Sequence, residues 1–156
     1  MRGLLLLVCP ALLIAMPAPS QAQLAVQANP NHEQLLASRD AHLAANTRLV
    51  YDFWRTVFEG GHMEFADKYM AESYIQHNPN VPTGLKGFMD TFRERFAQKL
   101  PADYKRELLN VVGENDMVVI YVRQTWTGRD GKHNQALGFD MFRVQDGKIA
   151  EHWDAD

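Results

Sequence analysis

A chain of 156 residues with 46% apolar side chains is long enough for one domain with a real core. Its formal charge of −3 leaves no basic footprint, which excludes nucleic acid as the main partner. One cysteine, Cys9, excludes a disulfide framework and a cysteine zinc site.

The chain starts with the short basic pair Met1-Arg2. Residues 4–16 form an apolar run broken only by Pro10, and Ser20-Gln21-Ala22 is a small-x-small cleavage pattern. Together these predict a secretory signal peptide over residues 1–22, cut after Ala22. The apolar run is too short to span a bilayer, so no stable membrane span is expected after cleavage. The expected location is the periplasm or the exterior. Cys9 follows Val8 rather than the Ala or Gly that precedes a lipoprotein cysteine. Cleavage would leave no thiol, so stability must come from packing and thiol catalysis is excluded.

Residues 23–31 (QLAVQANPN) predict a disordered lead-in ending at Pro30. The domain proper is expected over 32–156. A long helix should start at the N-cap Asn31, with Gln34 three residues later. It carries Leu43, Val50, Phe53, Trp54, Val57 and Phe58 on one stripe, and Gly60-Gly61 ends it. The segment HMEFADKYM predicts a second, short helix. Residues 72–79 read as extended, since Pro79 and Pro82 forbid helix. A third helix over 84–99 places Leu85, Phe88, Met89, Phe92 and Phe96 on one face. Strands follow over 105–112, 117–127, 133–145 and 148–154. Helices first and a strand meander after predict an α+β fold. A curved antiparallel sheet should wrap over the N-terminal helices and form a conical cavity, a default ligand site.

The last hairpin decides which polar side chains meet. A two-residue loop, Asp146-Gly147, would pair Gln145 with Lys148, set Asp140 opposite Trp153 and turn His152 to the other face. A three-residue loop, Gln145-Asp146-Gly147, would pair Val144 with Lys148 and set Asp140 opposite His152. The second spares Asp146 a positive φ and is the expected register. One face then carries Gly138, Asp140, Phe142, Ala150, His152 and Asp154. The other carries Phe139, Met141, Ile149 and Trp153. Two apolar faces on one sheet predict a homodimer through the outer face.

YIQHNP (74–79), Gly84, the aromatic helix 88–96 and GFDMFRVQDGKIAEHWD (138–154) carry a resemblance. Together they resemble the SnoaL-like branch of the nuclear transport factor 2-like superfamily. The resemblance implies an α+β cone, usually dimeric. It also implies, as in the polyketide cyclases of that superfamily, ring closure by intramolecular aldol condensation without metal or cofactor. An acidic residue acts there as general acid/base, and Asp140 best matches it. His152 and His77 match polar pocket positions.

The residues alone support related roles. An acid desolvated in an apolar cone can remove a proton α to a carbonyl and return one to the product. Asp140 is therefore the candidate catalytic acid/base, against a structural Asp–His or Asp–backbone pair. His152 either orients Asp140, donates or shuttles a proton, or is a satisfied half-buried histidine. His77, at the expected cavity mouth, is a candidate hydrogen-bond donor to a substrate carbonyl. Asn78 reads as turn chemistry. Tyr51 and Tyr74 either supply phenol donors to substrate or belong to the core, while Trp54 and Phe92 form core and cavity wall. Arg123 either reaches an acidic ligand or pairs with a surface acid. His62, His77, His133 and His152 lack His-x-His or HExxH spacing, so no metal site is expected. Two functions remain open: a cyclase or isomerase for a small hydrophobic carbonyl compound, or a binding module that holds a small molecule unchanged. A scaffold whose outer sheet recruits a protein is a third.

Overall fold

The computed structural model of the chain describes residues 26–154. The expected signal peptide and Cys9 lie outside them. Helix α1 (His32–Leu36) starts where expected: the Asn31 side chain accepts the Gln34 backbone N–H at 3.1 Å. It does not run on as one long helix. The Asp40 carboxylate accepts the backbone N–H groups of His42 and Leu43 at 2.8 and 3.1 Å and starts α2 (Ala41–Phe53) afresh. Such a cap stabilises a helix by about 1 kcal/mol, enough to compete with continuation through Ser38 and Arg39.

Helix α2 passes into one π-helical stretch, Trp54–Glu59, closed by the Gly60 N–H on the Arg55 carbonyl at 2.9 Å. The wider turn is a recurrent device near functional sites. A short 3₁₀ turn (Met63–Phe65) and α3 (Ala66–Tyr69) occupy the expected second helix. Strand β1 is Met70–Gln76 and helix α4 is Leu85–Phe96. Gly84 leads into α4 at φ 88°, where a side chain would be strained.

Strands β2 (Lys105–Glu114), β3 (Met117–Thr127), β4 (His133–Gln145) and β5 (Lys148–Asp154) form an antiparallel meander. The sheet order is β1-β5-β4-β3-β2. It is mixed rather than wholly antiparallel, because β1 runs parallel to β5. The long connection from β1 to β5, through α4 and the first three strands of the meander, makes that parallel pairing possible. Residues 26–31 lead in along the sheet, and the Val26 carbonyl accepts from Arg123 at 2.6 Å.

The β4–β5 turn corrects the expected register. Asp146 and Gly147 both have positive φ, 52° and 70°, as a two-residue type I′ turn requires. Gln145 therefore pairs with Lys148, and Val144 with Ile149. Asp is among the residues that tolerate the left-handed region, and the turn's twist matches the strands. The register then shifts by one, because Ala150 is a bulge: Arg143 pairs with Glu151, Phe142 with His152 and Asp140 with Asp154. The bulge restores the parity that the short turn would have lost. Asp140, Phe142, His152 and Asp154 share the inner face as expected, by a different pairing. Ile149 is fully buried on the core side, not on the outer face.

Val50, Phe53, Trp54 and Val57 pack with Phe88 and Phe92 of α4 against Ile120, Val122, Phe142 and Val144 of the sheet. Phe53 is a hub: its ring meets Phe58, Phe88 and Phe142 at centroid distances of 5.7 to 5.9 Å. Burial of each such side chain contributes about 1.5–3 kcal/mol.

Candidate functional site

A cavity of about 1050 Å³ opens between the sheet and the helices. Trp54 and Phe58 wall it from the π-helical stretch, Phe92 and Phe96 from α4, and Val122, Gln124 and Trp126 from β3. Asp140, His152 and Asp154 line it from β4 and β5, and Glu59, Arg95, Lys105, Arg106 and Glu107 line it as well. The aromatic stripes of two helices and the inner strand face thus meet around one hollow, as their periodicities require.

His152 is 3% exposed and its ring stacks on Phe142 at 4.6 Å. Its Nε2 lies 3.1 Å from Asp140 Oδ1, and its Nδ1 lies 3.1 Å from Gln76 Oε1. The Asp140 side chain is 24% exposed and lines the cavity.

The surrounding bonds fix the imidazole. The Asn78 backbone N–H donates to Gln76 Oε1 at 3.0 Å, and Gln76 Nε2 donates to the Tyr74 hydroxyl at 3.0 Å. Oε1 is therefore an acceptor, and His152 Nδ1 must carry the hydrogen it shares with it. Nε2 is left to face Asp140. One proton between Nε2 and Oδ1 satisfies both, either as imidazolium and carboxylate or as imidazole and carboxylic acid.

Asp154 is the cross-strand neighbour of Asp140. Its Oδ2 accepts from Asn78 Nδ2 at 3.0 Å, while its buried Oδ1 has no hydrogen-bond partner among the described residues. Donor atoms of Asp140, His152 and Asp154 lie within 4.8 Å of one another. One nitrogen and two carboxylate oxygens also suit a divalent cation. Spacing rules do not reveal this set, because it is assembled from two strands.

Tyr74 is 1% exposed and sits behind the cluster. Burial, with the charges of Asp154 and Asp140 adding to it, drives its phenol far above its ordinary range and keeps it protonated. Its hydroxyl braces Gln76 and does not line the cavity.

Of the expected site residues, the structure brings Asp140, His152, Trp54 and Phe92 together around the cavity. His77 is not at the mouth. It lies on the outer face, stacked on Trp153 at 4.6 Å, with Nε2 3.0 Å from Glu151. Tyr51 is away from the cavity, 2.8 Å from His32 Nδ1. The roles of the adjacent pair are exchanged: Asn78, expected only to shape a turn, is 5% exposed and reaches Asp154. It also makes the turn, accepting the Asn80 N–H at 2.7 Å. Gln76 had no signal, since only its parallel pairing with β5 brings it to His152. Asp154 had one, its shared parity with His152. Arg123 pairs with Glu107 at 2.8 Å.

No curated protein matches the chain. Among solved structures, TsrD from Streptomyces laurentii is 25% identical, with a TM-score of 0.59 over 76% of this chain and 90% of that one. A polyketide-cyclase-like protein from Acidithiobacillus ferrooxidans is 20% identical, with a TM-score of 0.60 over the same shares. A SnoaL-like protein from Jannaschia is 17% identical, with a TM-score of 0.62, again over 76% and 90%. The latter two likenesses concern the fold. The SnoaL-like polyketide cyclase model matches residues 48–156, from the cavity-walling helix through the strands that carry Asp140, His152 and Asp154, and the chain belongs to that family.

Proposed function

We propose that the protein is a cofactor-independent acid/base catalyst of the aldol-cyclase or isomerase type, acting on a hydrophobic carbonyl compound held in the cavity. The observation that carries this reading is the contact between buried His152 and Asp140 on the wall of an aromatic hollow. Asp140 takes the proton α to a carbonyl, leaving an enolate. It does so in the imidazolium–carboxylate form of the pair, through the oxygen that does not face His152, while the Nε2–H keeps its hydrogen bond to Oδ1. In ring closure the enolate carbon attacks a second carbonyl of the same molecule, and the proton returns to the new alkoxide. In isomerisation it returns to a different carbon. Asp154 Oδ1, buried and without a hydrogen-bond partner among the described residues, is suited to accept a substrate hydroxyl.

Export and self-association belong to the same proposal. Export rests on residues 1–22. A homodimer through the outer sheet is supported by Phe139, Val112 and Leu137, which are 56%, 55% and 45% exposed. Sedimentation of wild type and Phe139→Glu tests it: a dimer that the substitution dissociates is expected, and a monomeric wild type removes it.

The test of the chemistry is a thermal-shift screen of aromatic and terpenoid carbonyl compounds, then turnover of each hit by wild type and Asp140→Asn. Conversion lost in the variant, with binding kept, is expected. Hits bound alike and converted by neither protein would instead make this a binding module.

A further inference from the structure

The rim of the cavity carries charges that the acid/base cluster does not use. Among the described residues, Arg48, Arg55, Arg93, Arg123 and Arg143 each hold a carboxylate. The two arginines that line the cavity, Arg95 and Arg106, hold none among those residues; nor do Arg39 and Arg129, which do not line it. Glu59 and Glu107 also line it, but they are taken by Arg55 and Arg123, which do not. The rim therefore presents cation without matching anion.

Arg106 is the better placed of the two. It pairs across the sheet with Gln124 and is half-buried on the inner face. One terminal nitrogen donates to the Phe58 carbonyl at 2.9 Å and the other to the Tyr104 hydroxyl at 3.0 Å. The guanidinium lies 5.6 Å from the Tyr104 ring centroid and 6.0 Å from that of Phe58. These contacts hold the planar group in place with N–H donors to spare. Arg95, more exposed, sits 5.0 Å over the Phe92 ring. A guanidinium fixed against aromatic walls, with no carboxylate of its own, suits bidentate recognition of an anion.

The opposite sign lies at the other end. Asp140 pairs with Ile120, four residues along β3 from Gln124. The two ends are thus about 13 Å apart along the strand direction. Asp140 and Asp154 repel an anion that the arginines attract, so the field orients as well as binds.

We infer that the cavity takes an amphipathic carboxylate: a ring-bearing carbonyl compound whose acid group docks on Arg106 and Arg95 and whose reacting carbonyl end faces Asp140. The assignment of the carbonyl end rests on the proposed acid/base chemistry, whereas the docking of the acid group does not.

The test is calorimetric titration of the full-length protein with a fluorenone carboxylate and with its neutral carboxamide. Wild type is expected to bind the carboxylate about tenfold or more tightly than the amide, the scale of one charge-assisted hydrogen bond. Arg106→Gln should remove most of that preference and leave amide binding nearly unchanged. Arg95→Gln should remove less, and it keeps the test decisive if the Arg106 variant folds poorly. Asp140→Asn removes a repelling charge and should not lower the preference, so a failure of the acid/base reading is distinguishable from a failure of this one. Equal binding of the two compounds by wild type, including no binding of either, overturns the inference. So does a preference that survives both arginine substitutions.

Discussion

Two histidine–carboxylate pairs lie on opposite faces of β5. Inside, His152 is 3.1 Å from Asp140; outside, His77 is 3.0 Å from Glu151. The two histidines are even joined, since the His77 N–H donates to the His152 carbonyl at 3.0 Å. Distance does not separate the pairs, but their surroundings do. The His77 side chain is 40% exposed, and Glu151 is also gripped by Arg143. Its hydrogen bond with His77, and then that with Arg143, hold the Glu151 carboxyl below the usual carboxylate range. Such a carboxylate is saturated with donors and poor at taking a proton. Among the described residues Asp140 has a single imidazole for a partner, and it lines the cavity. A site needs the second kind of pair.

The sharpest way to break this contrast is at the carboxylates. Asp140→Asn should lower turnover of a converted ligand by about 10²–10⁴-fold, the range of a general acid/base, while Glu151→Gln leaves turnover within about twofold. Comparable losses in steady-state assays would mean that the inner pair has no special role. Next come the histidines. His152→Gln, which strands Asp140 and Gln76, should cost about 2 kcal/mol in urea unfolding, whereas His77→Gln should cost under about 1 kcal/mol.

The pH dependence of folding sharpens the contrast further. The Tyr74 phenol keeps its proton in the folded protein above its ordinary value of 10.0, whereas the unfolded chain releases it. Stability should therefore fall as pH rises past 10, by about 1.4 kcal/mol per pH unit from this group. Tyr74→Phe should flatten that alkaline limb, as followed by denaturant titrations. The smallest effect is at Glu151. Its lowered value means that its contribution is present above 4.5 and lost as pH falls through the folded-state value. Glu151→Gln should remove that acid-side loss, under about 1 kcal/mol for a pair at the surface.

Much of this architecture was legible before the coordinates. The bounds of β3, β4 and β5 follow from turn residues and alternation, and the aromatic stripes named the cavity wall. Three things were not legible, each for a physical reason. The helix break at residues 37–40 depends on a cap at Asp40 outcompeting a weak continuation. The places of His77 and Asn78 follow no strand period, because two prolines bend that connection. The Gln76–His152 contact comes from a parallel pairing far apart in sequence. The register expectation is the most instructive. It overestimated the cost of a positive φ at Asp146 and missed the irregularity at Ala150, and the two errors cancelled on the inner face.

That cancellation limits which changes of length this hairpin tolerates. Removing Ala150 alone would take out the extra residue and leave Glu151 opposite Arg143 and His152 opposite Phe142, so the hollow would keep its histidine and both acids. Taking Ala150 into the ladder would do the opposite: Glu151 and Trp153 would enter the hollow while His152 and Asp154 left it. The chemistry of the hollow therefore survives the loss of this residue but not its pairing.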